Sequence, residues 1–128
     1  MAEILVREAV GAEDVAVVRR LLQAYGEHLS ATPANICIAG YERELQGLPS
    51  PYAALLLAFV DGTAAGCVAL KRIQVAGERG CEMKRLWVEA GFRGLGLGRR
   101  LVEEAIGWAE RMGYGAMYLD TVLTAMPE

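Results

Sequence analysis

Three glycines stand at alternate positions in the stretch Phe92-Arg93-Gly94-Leu95-Gly96-Leu97-Gly98-Arg99, and what flanks them narrows the folds open to this chain. Before it, Cys81 to Val88 reads as a β-strand. After it, Leu97, Leu101, Ala105, Trp108, Ala109 and Met112 fall on one stripe of an amphipathic helix, with Arg100, Glu103, Glu104 and Arg111 facing water. A strand that passes through glycines into a helix aims the helix's unpaired N–H groups and positive dipole end at the turn. The glycines let an anion approach that backbone, and Arg93 and Arg99 add charge at either edge. The spacing excludes two familiar versions of such a turn. A dinucleotide fingerprint needs a glycine at its sixth position, which is Arg99 counted from Gly94 and Leu101 counted from Gly96. A Walker A loop ends in Gly-Lys-Ser or Gly-Lys-Thr, and neither occurs.

The rest of the chain supplies a sheet for this turn to sit on. Ile4 to Arg7 reads as a short strand. Val15, Val18, Leu21, Leu22 and Tyr25 follow at helical spacing, with Gly26 as the expected helix end. Ala34 to Leu45 is a weaker helix, broken by Gly47-Leu48-Pro49-Ser50-Pro51. Tyr52 to Val60 and Ala64 to Ile73 are strands joined by the hairpin signal Asp61-Gly62. A turn at Gly77 to Gly80 leads into the Cys81–Val88 strand. Gly113 sits where a helix wants a left-handed residue after its last turn, and Ala116 to Thr121 reads as a final strand. The order β-α-α-β-β-β-α-β predicts a mixed α/β sandwich, mostly antiparallel. Its last two strands are parallel because a helix crosses between them.

Composition bounds the function. The chain has 128 residues, enough for one domain over 1–128 and too few for two. A formal charge of −3 argues against nucleic acid as a partner, since a phosphate-tracking surface needs a basic excess. Cys37, Cys67 and Cys81 match no zinc spacing, and the single histidine, His28, cannot complete a two-cysteine, two-histidine set, so no metal is expected. No apolar run approaches the roughly 20 residues that span a bilayer, and the N-terminus lacks a signal pattern. A cytoplasmic protein with reduced thiols and no membrane partner is the expectation.

The run Arg93-Gly94-Leu95-Gly96-Leu97-Gly98 resembles the Arg/Gln-x-x-Gly-x-Gly/Ala signature of the GNAT superfamily of N-acetyltransferases. Glu82-Met83-Lys84-Arg85-Leu86-Trp87-Val88 resembles that family's fourth strand, and the element order agrees along nearly the whole chain. The resemblance implies an acyl-CoA N-acyltransferase-like fold with splayed parallel strands, and acetyl-CoA or another acyl-CoA as co-substrate. It implies that the backbone of Leu86, Trp87 and Val88 pairs with the pantetheine arm. The Val88 N–H would polarise the thioester carbonyl, and the N–H groups of Arg93, Gly94, Leu95, Gly96, Leu97, Gly98 and Arg99 would take the pyrophosphate. The acceptor is then an amine on a small molecule or amino-acid-like compound. Only about one such amine in a few thousand is neutral at pH 7, so a base matters.

Glu82 is the candidate base. It lies six residues before Val88, and period-two alternation predicts both side chains on one face. An ion-paired strand glutamate is the competing role. Tyr25, Tyr41 and Glu44 fall in the region where the family forms its acceptor site. His28 is expected in a surface loop, Cys67 and Cys81 in the core, and Trp87 and Trp108 as core or groove-wall residues.

The resemblance weakens after the last strand. Family members continue with a helix, usually carrying a tyrosine that protonates the departing thiolate, and two more strands. Here Thr121-Val122-Leu123-Thr124-Ala125-Met126-Pro127-Glu128 follows, with a helix-start pattern at Thr124. Tyr118 lies within the strand and does not fill that role. The expected consequence is an uncovered last strand, and a homodimer or higher oligomer that covers it. A protein that binds acyl-CoA without turnover, as a sensor or interaction module, is the alternative to an enzyme.

Overall fold

The computed structural model describes residues 2–30, 38–75 and 77–119. The chain runs Ile4–Glu8 (β1), Gly11–Ser30 (α1), Ile38–Gln46 (α2), Ala54–Val60 (β2), Thr63–Val75 (β3), Glu78–Val88 (β4), a 3₁₀ turn at Ala90–Phe92, Leu97–Arg111 (α3) and Ala116–Leu119 (β5). Among the described residues the strands form one five-stranded sheet in the order β1-β2-β3-β4-β5. All neighbours are antiparallel except β4 and β5, which α3 connects as a parallel pair. This is the mixed α/β architecture expected from the sequence. The β2–β3 hairpin turns where Asp61-Gly62 predicts it, with φ of 49° and 84°, both positive as a two-residue type I′ turn requires. β4 begins at Glu78, earlier than the expected Cys81, because the preceding turn tightens around Gly77 at φ 81°.

The sheet separates two cores. Leu97, Leu101, Ala105 and Trp108 of α3 pack on one face against Val6, Leu56, Ala58, Val68, Leu70 and Met83. Val18, Leu21 and Leu22 of α1 and Leu45 of α2 pack on the other, against Leu55, Leu57, Cys67, Ala69 and Trp87. The apolar stripe of α3 is therefore the buried one, apart from its last member: Met112 is 52% exposed, because it caps the helix beyond the sheet. At the other end of the sheet, Asp14 ties α1 to β1. It accepts from the Arg7 guanidinium at 2.7 Å and from the Val10 N–H at 2.9 Å. The Arg7 hydrogen bond and then the Val10 N–H hold its carboxyl at about 2.

Gly26 does not end α1. The helix continues to Ser30, which places His28 within the helix and not in a loop. A Cβ at Gly26 would stand 2.6 Å from Cε2 of Tyr41. The glycine thus serves close approach of α2 to α1, a need that arises from a residue fifteen positions later. The Tyr41 ring has little freedom to retreat, since its hydroxyl donates to the Leu22 carbonyl on α1. Alanine would gain about 1 kcal/mol in helix propensity, but overpacking a fitted contact costs about 1–3 kcal/mol. Gly26→Ala should therefore lower the urea midpoint of the folded chain; a rise would show that Tyr41 repacks freely.

Candidate active site at the end of β4

β4 contains one residue more than its partner. β3 and β4 pair in register from Val75↔Glu78 to Ala69↔Lys84, and then the register slips, so that Cys67 faces Trp87. The extra residue forms a β-bulge, and Arg85 within it has φ 59°. A left-handed backbone costs an L-residue about 1–2 kcal/mol, which is why glycine is usual at such positions.

The bulge reverses everything beyond it. The Ala53 N–H donates to the Leu70 carbonyl, so Leu70 faces β2, and its neighbours Ala69 and Lys71 face β4. Their partners Lys84 and Glu82 face back toward β3. Past the slip it is Glu89 that donates to β3, at the Ala65 carbonyl. Alternation then turns the N–H and C=O of Val88 away from β3, toward the β5 side. Among the described residues the parallel ladder with β5 runs from Gly80↔Ala116 to Met83↔Leu119. The parallel β4–β5 pair expected from the sequence is present, and the Val88 N–H points away from β3.

The same slip corrects the expected relation of Glu82 to Val88. Cys81 and Met83 lie in the α3 core before the bulge, and Leu86 and Val88 pack against it after the bulge. Glu82 therefore lies on the α1–α2 face and the Val88 side chain on the opposite one. Only the in-plane N–H of Val88 is shared between the two faces. Glu82 is partly buried, and its Oε1 lies 3.8 Å from Lys84 Nζ.

From Val88 the chain passes through the 3₁₀ turn into the glycines. Gly94 and Gly96 have φ of 89° and 77°, which L-residues rarely adopt. Gly96 is the N-cap of α3, and no side chain caps the helix there. A Cβ built at Gly94, Gly96 or Gly98 meets nothing within 4 Å. The turn is a backbone surface with open space over it and uncapped helical N–H groups beneath. The two arginines differ from expectation. Arg99 is exposed and pairs with Glu103 at 3.3 Å along the helix. The Arg93 guanidinium instead turns back to β4: Nε donates to the Val88 carbonyl at 3.1 Å, and Cζ lies 4.9 Å from the centroid of the Trp87 ring. It ties the turn to the strand end.

On the α1–α2 face, Tyr25, Tyr41 and Glu44 do come together, with Arg85, Tyr52 and Trp87 added. The Tyr25 ring meets Trp87 edge-on at 5.7 Å and Tyr41 at 6.4 Å. Arg85 donates to both carboxylate oxygens of Glu44, from Nε at 2.9 Å and from an Nη at 2.8 Å. Its Cζ stands 5.5 Å from the Tyr41 ring centroid. Tyr52, which precedes β2 and is not part of it, donates to the Glu44 carboxylate. Burial pushes the Glu44 carboxyl up, but the hydrogen bonds from Arg85 and Tyr52 outweigh it and hold it below its ordinary range. Burial, and then Glu44 itself, keeps the Tyr52 hydroxyl protonated. Glu44 is thus an ionised, paired carboxylate, unsuited to serve as a base. Of this group the sequence missed Arg85. A signal existed: Lys84-Arg85 puts two polar residues between Met83 and Leu86, where strict alternation allows one.

The model of the acetyltransferase (GNAT) family matches residues 17–127. The chain belongs to this family. An uncharacterised N-acetyltransferase of Schizosaccharomyces pombe is 38% identical over 112 residues, which cover 87% of this chain and 66% of that protein. An IAA acetyltransferase of Azospirillum brasilense is 38% identical over 78 residues, 61% of this chain and 50% of that one. The chain thus spans less than two thirds of the length of either relative. The fold is also that of a putative acetyltransferase from Pyrococcus furiosus, with TM-score 0.74, 20% identity, and 94% and 83% of the two chains covered. An aminoglycoside N-acetyltransferase in complex with CoA gives TM-score 0.68 at 19% identity, over 95% and 79% of the chains.

Several expectations for this GNAT chain fall on residues 120–128 and on Cys37, outside the described residues; they include the helix-start pattern at Thr124. Within them, β5 is an edge of the sheet. No group of three His, Cys, Asp or Glu side chains among the described residues could hold a metal ion, and no described helix is long and apolar enough to cross a membrane. Cys67 and Cys81 are buried in opposite cores, and burial pushes both thiols up. Neither is placed to act as a nucleophile. Native-state alkylation at pH 8, followed by mass spectrometry, should leave both unmodified and label both after denaturation; native labelling of either would reopen that role.

Proposed function

We propose that this protein transfers an acetyl group from acetyl-CoA to the amine of a small-molecule or amino-acid-like acceptor, by direct attack within a ternary complex. The observation that carries this reading is the Val88 N–H, turned by the β4 bulge away from β3 at the strand end that adjoins the glycine turn. Family membership supports acyl-CoA as the donor, and a structural neighbour was solved with CoA.

The residues present fit such a group. The space over Gly94, Gly96 and Gly98 is what a pyrophosphate needs, and the uncapped N-terminus of α3 supplies N–H donors and a positive dipole end. The edge of Leu86, Trp87 and Val88 would lie alongside the pantetheine arm. Bound there, the cofactor supplies an activated acyl thioester. The Val88 N–H donates to its carbonyl oxygen as negative charge develops, and one such preorganised donor is worth about 2.7–4 kcal/mol. Arg93 holds the carbonyl of the following peptide unit, and so ties the end of β4 to the glycine turn. Glu82, on the α1–α2 face, accepts the acceptor's proton directly or through water as the C–N bond forms, the C–S bond breaks and CoA leaves as its thiolate. The aromatic cluster of Tyr25, Tyr41 and Trp87 forms the wall of the acceptor side.

Calorimetry with acetyl-CoA and CoA, followed by thiol release across a panel of amines, tests the assignment. Absence of binding at high micromolar cofactor would refute it, and binding without release for any amine would leave an acyl-CoA-binding module. In a folded protein, Gly96→Glu should weaken CoA binding at least a hundredfold, by placing a side chain and a negative charge in the turn. Unchanged affinity would mean the phosphates lie elsewhere. Glu82→Gln should lower kcat/KM about a hundredfold and leave the Kd for CoA unchanged; full activity would remove Glu82 as the base.

A further inference from the structure

The direction of the Val88 N–H depends on one residue of strand length, and that residue is held from another element. We propose that Glu44 of α2 is a positioning residue for the Val88 N–H, acting through Arg85, so that the docking of α2 sets the geometry of the reacting carbonyl's donor. The inference rests on the role assigned above to Val88.

Three observations converge on it. First, Arg85 occupies φ 59° in the bulge, a conformation that its own backbone disfavours and that glycine would adopt freely. The surroundings must therefore hold it there. Second, the side chain is held from one side by a two-point contact. Nε and an Nη both donate to Glu44, and the guanidinium lies over the Tyr41 ring. Glu44 is fixed in turn by Tyr52, and Tyr41 by the Leu22 carbonyl on α1. The bulge is thus latched to both helices of the acceptor-side layer. Third, the alternative state is defined. If the extra residue were absorbed and the register of Ala69↔Lys84 continued, Val88 would fall opposite Ala65. Its N–H would then enter the β3 ladder and be lost to any ligand. A simple surface ion pair would have no such consequence for a residue three positions on.

The test uses the full chain with Glu44→Ala, Glu44→Gln, Arg85→Lys and Arg85→Gly. Turnover and the Kd for CoA are measured together, with the amide resonances of Val88 and of the glycine turn. Arg85→Gly is the informative variant, because it removes the tether and keeps a residue suited to positive φ. We expect Glu44→Ala to lower kcat at least tenfold, with the Kd for CoA within twofold of the parent, and Arg85→Gly to keep kcat within about threefold, because glycine holds positive φ without a tether. The double variant should match Arg85→Gly, the glycine rescuing the loss caused by Glu44→Ala, as coupling between the two residues requires. The Val88 amide should shift, and those of Gly94, Gly96 and Gly98 should not. A double variant as slow as Glu44→Ala would overturn the proposal, as would a loss confined to CoA affinity. If Glu44→Ala does not fold, Glu44→Gln and Arg85→Lys carry the same comparison at smaller amplitude. If the parent acetylates no amine, the assigned function fails, and the amides alone decide the latch. A Val88 shift in Glu44→Gln supports it, and an unmoved resonance refutes it.

Discussion

The hydrogen-bond alternation of β4 is broken once, between Lys84 and Trp87, and the consequences reach most of the molecule's chemistry. On the near side of the break, Glu82 and Lys84 engage β3, and Cys81 and Met83 fill the α3 core. On the far side, Glu89 engages β3, Trp87 fills the α1–α2 core, and Val88 looks outward. A single inserted residue thereby exchanges the faces of the strand and frees one peptide N–H in the plane of the sheet. The freed donor points to the side of the sheet on which β5 pairs with the earlier part of β4. Bulge, freed donor and glycine turn then follow one another within about a dozen residues.

The division of labour between the two faces follows from this. The α3 face is an apolar core beneath a helix whose N-terminus is left uncapped. The α1–α2 face carries the charged and aromatic groups: Glu82, Glu44, Arg85, Tyr25, Tyr41 and Trp87. A net charge of −3 would not oppose the proposed anionic ligand, because backbone N–H groups and a helix dipole can hold an anion without a basic field. Glu44 illustrates how burial and partners combine. Burial alone would favour its protonation, and two donors reverse that and leave an ionised anchor for Arg85.

Much of the fold was legible because its signals are local. Asp61-Gly62 supplies two residues that accept positive φ, and the hairpin turns there. Leu97, Leu101, Ala105 and Trp108 repeat at helical spacing, and they are the buried face of α3. The glycine turn could be read because its residues are consecutive. Non-local causes were illegible. Gly26 looks like a terminator until Tyr41 is seen against it. Glu44 and Arg85 are 41 positions apart, with no motif to join them. The bulge left only a faint trace in the doublet Lys84-Arg85, because an arginine at positive φ carries no sequence mark of its own. Reading Glu82 and Val88 onto one face failed for that reason alone.

Gly98 differs in kind from its two neighbours in the turn. Gly94 and Gly96 answer to their own backbones, which adopt positive φ, whereas Gly98 lies in the first turn of α3 with ordinary φ and empty space where a Cβ would be. Nothing inside the molecule asks for glycine there, and a helix would gain up to about 1 kcal/mol from alanine. Selection for stability alone would drift away from this residue. Under the proposed function, glycine at 98 leaves room for a ligand that approaches from solvent, at the one position of the turn where the protein's own conformation is indifferent.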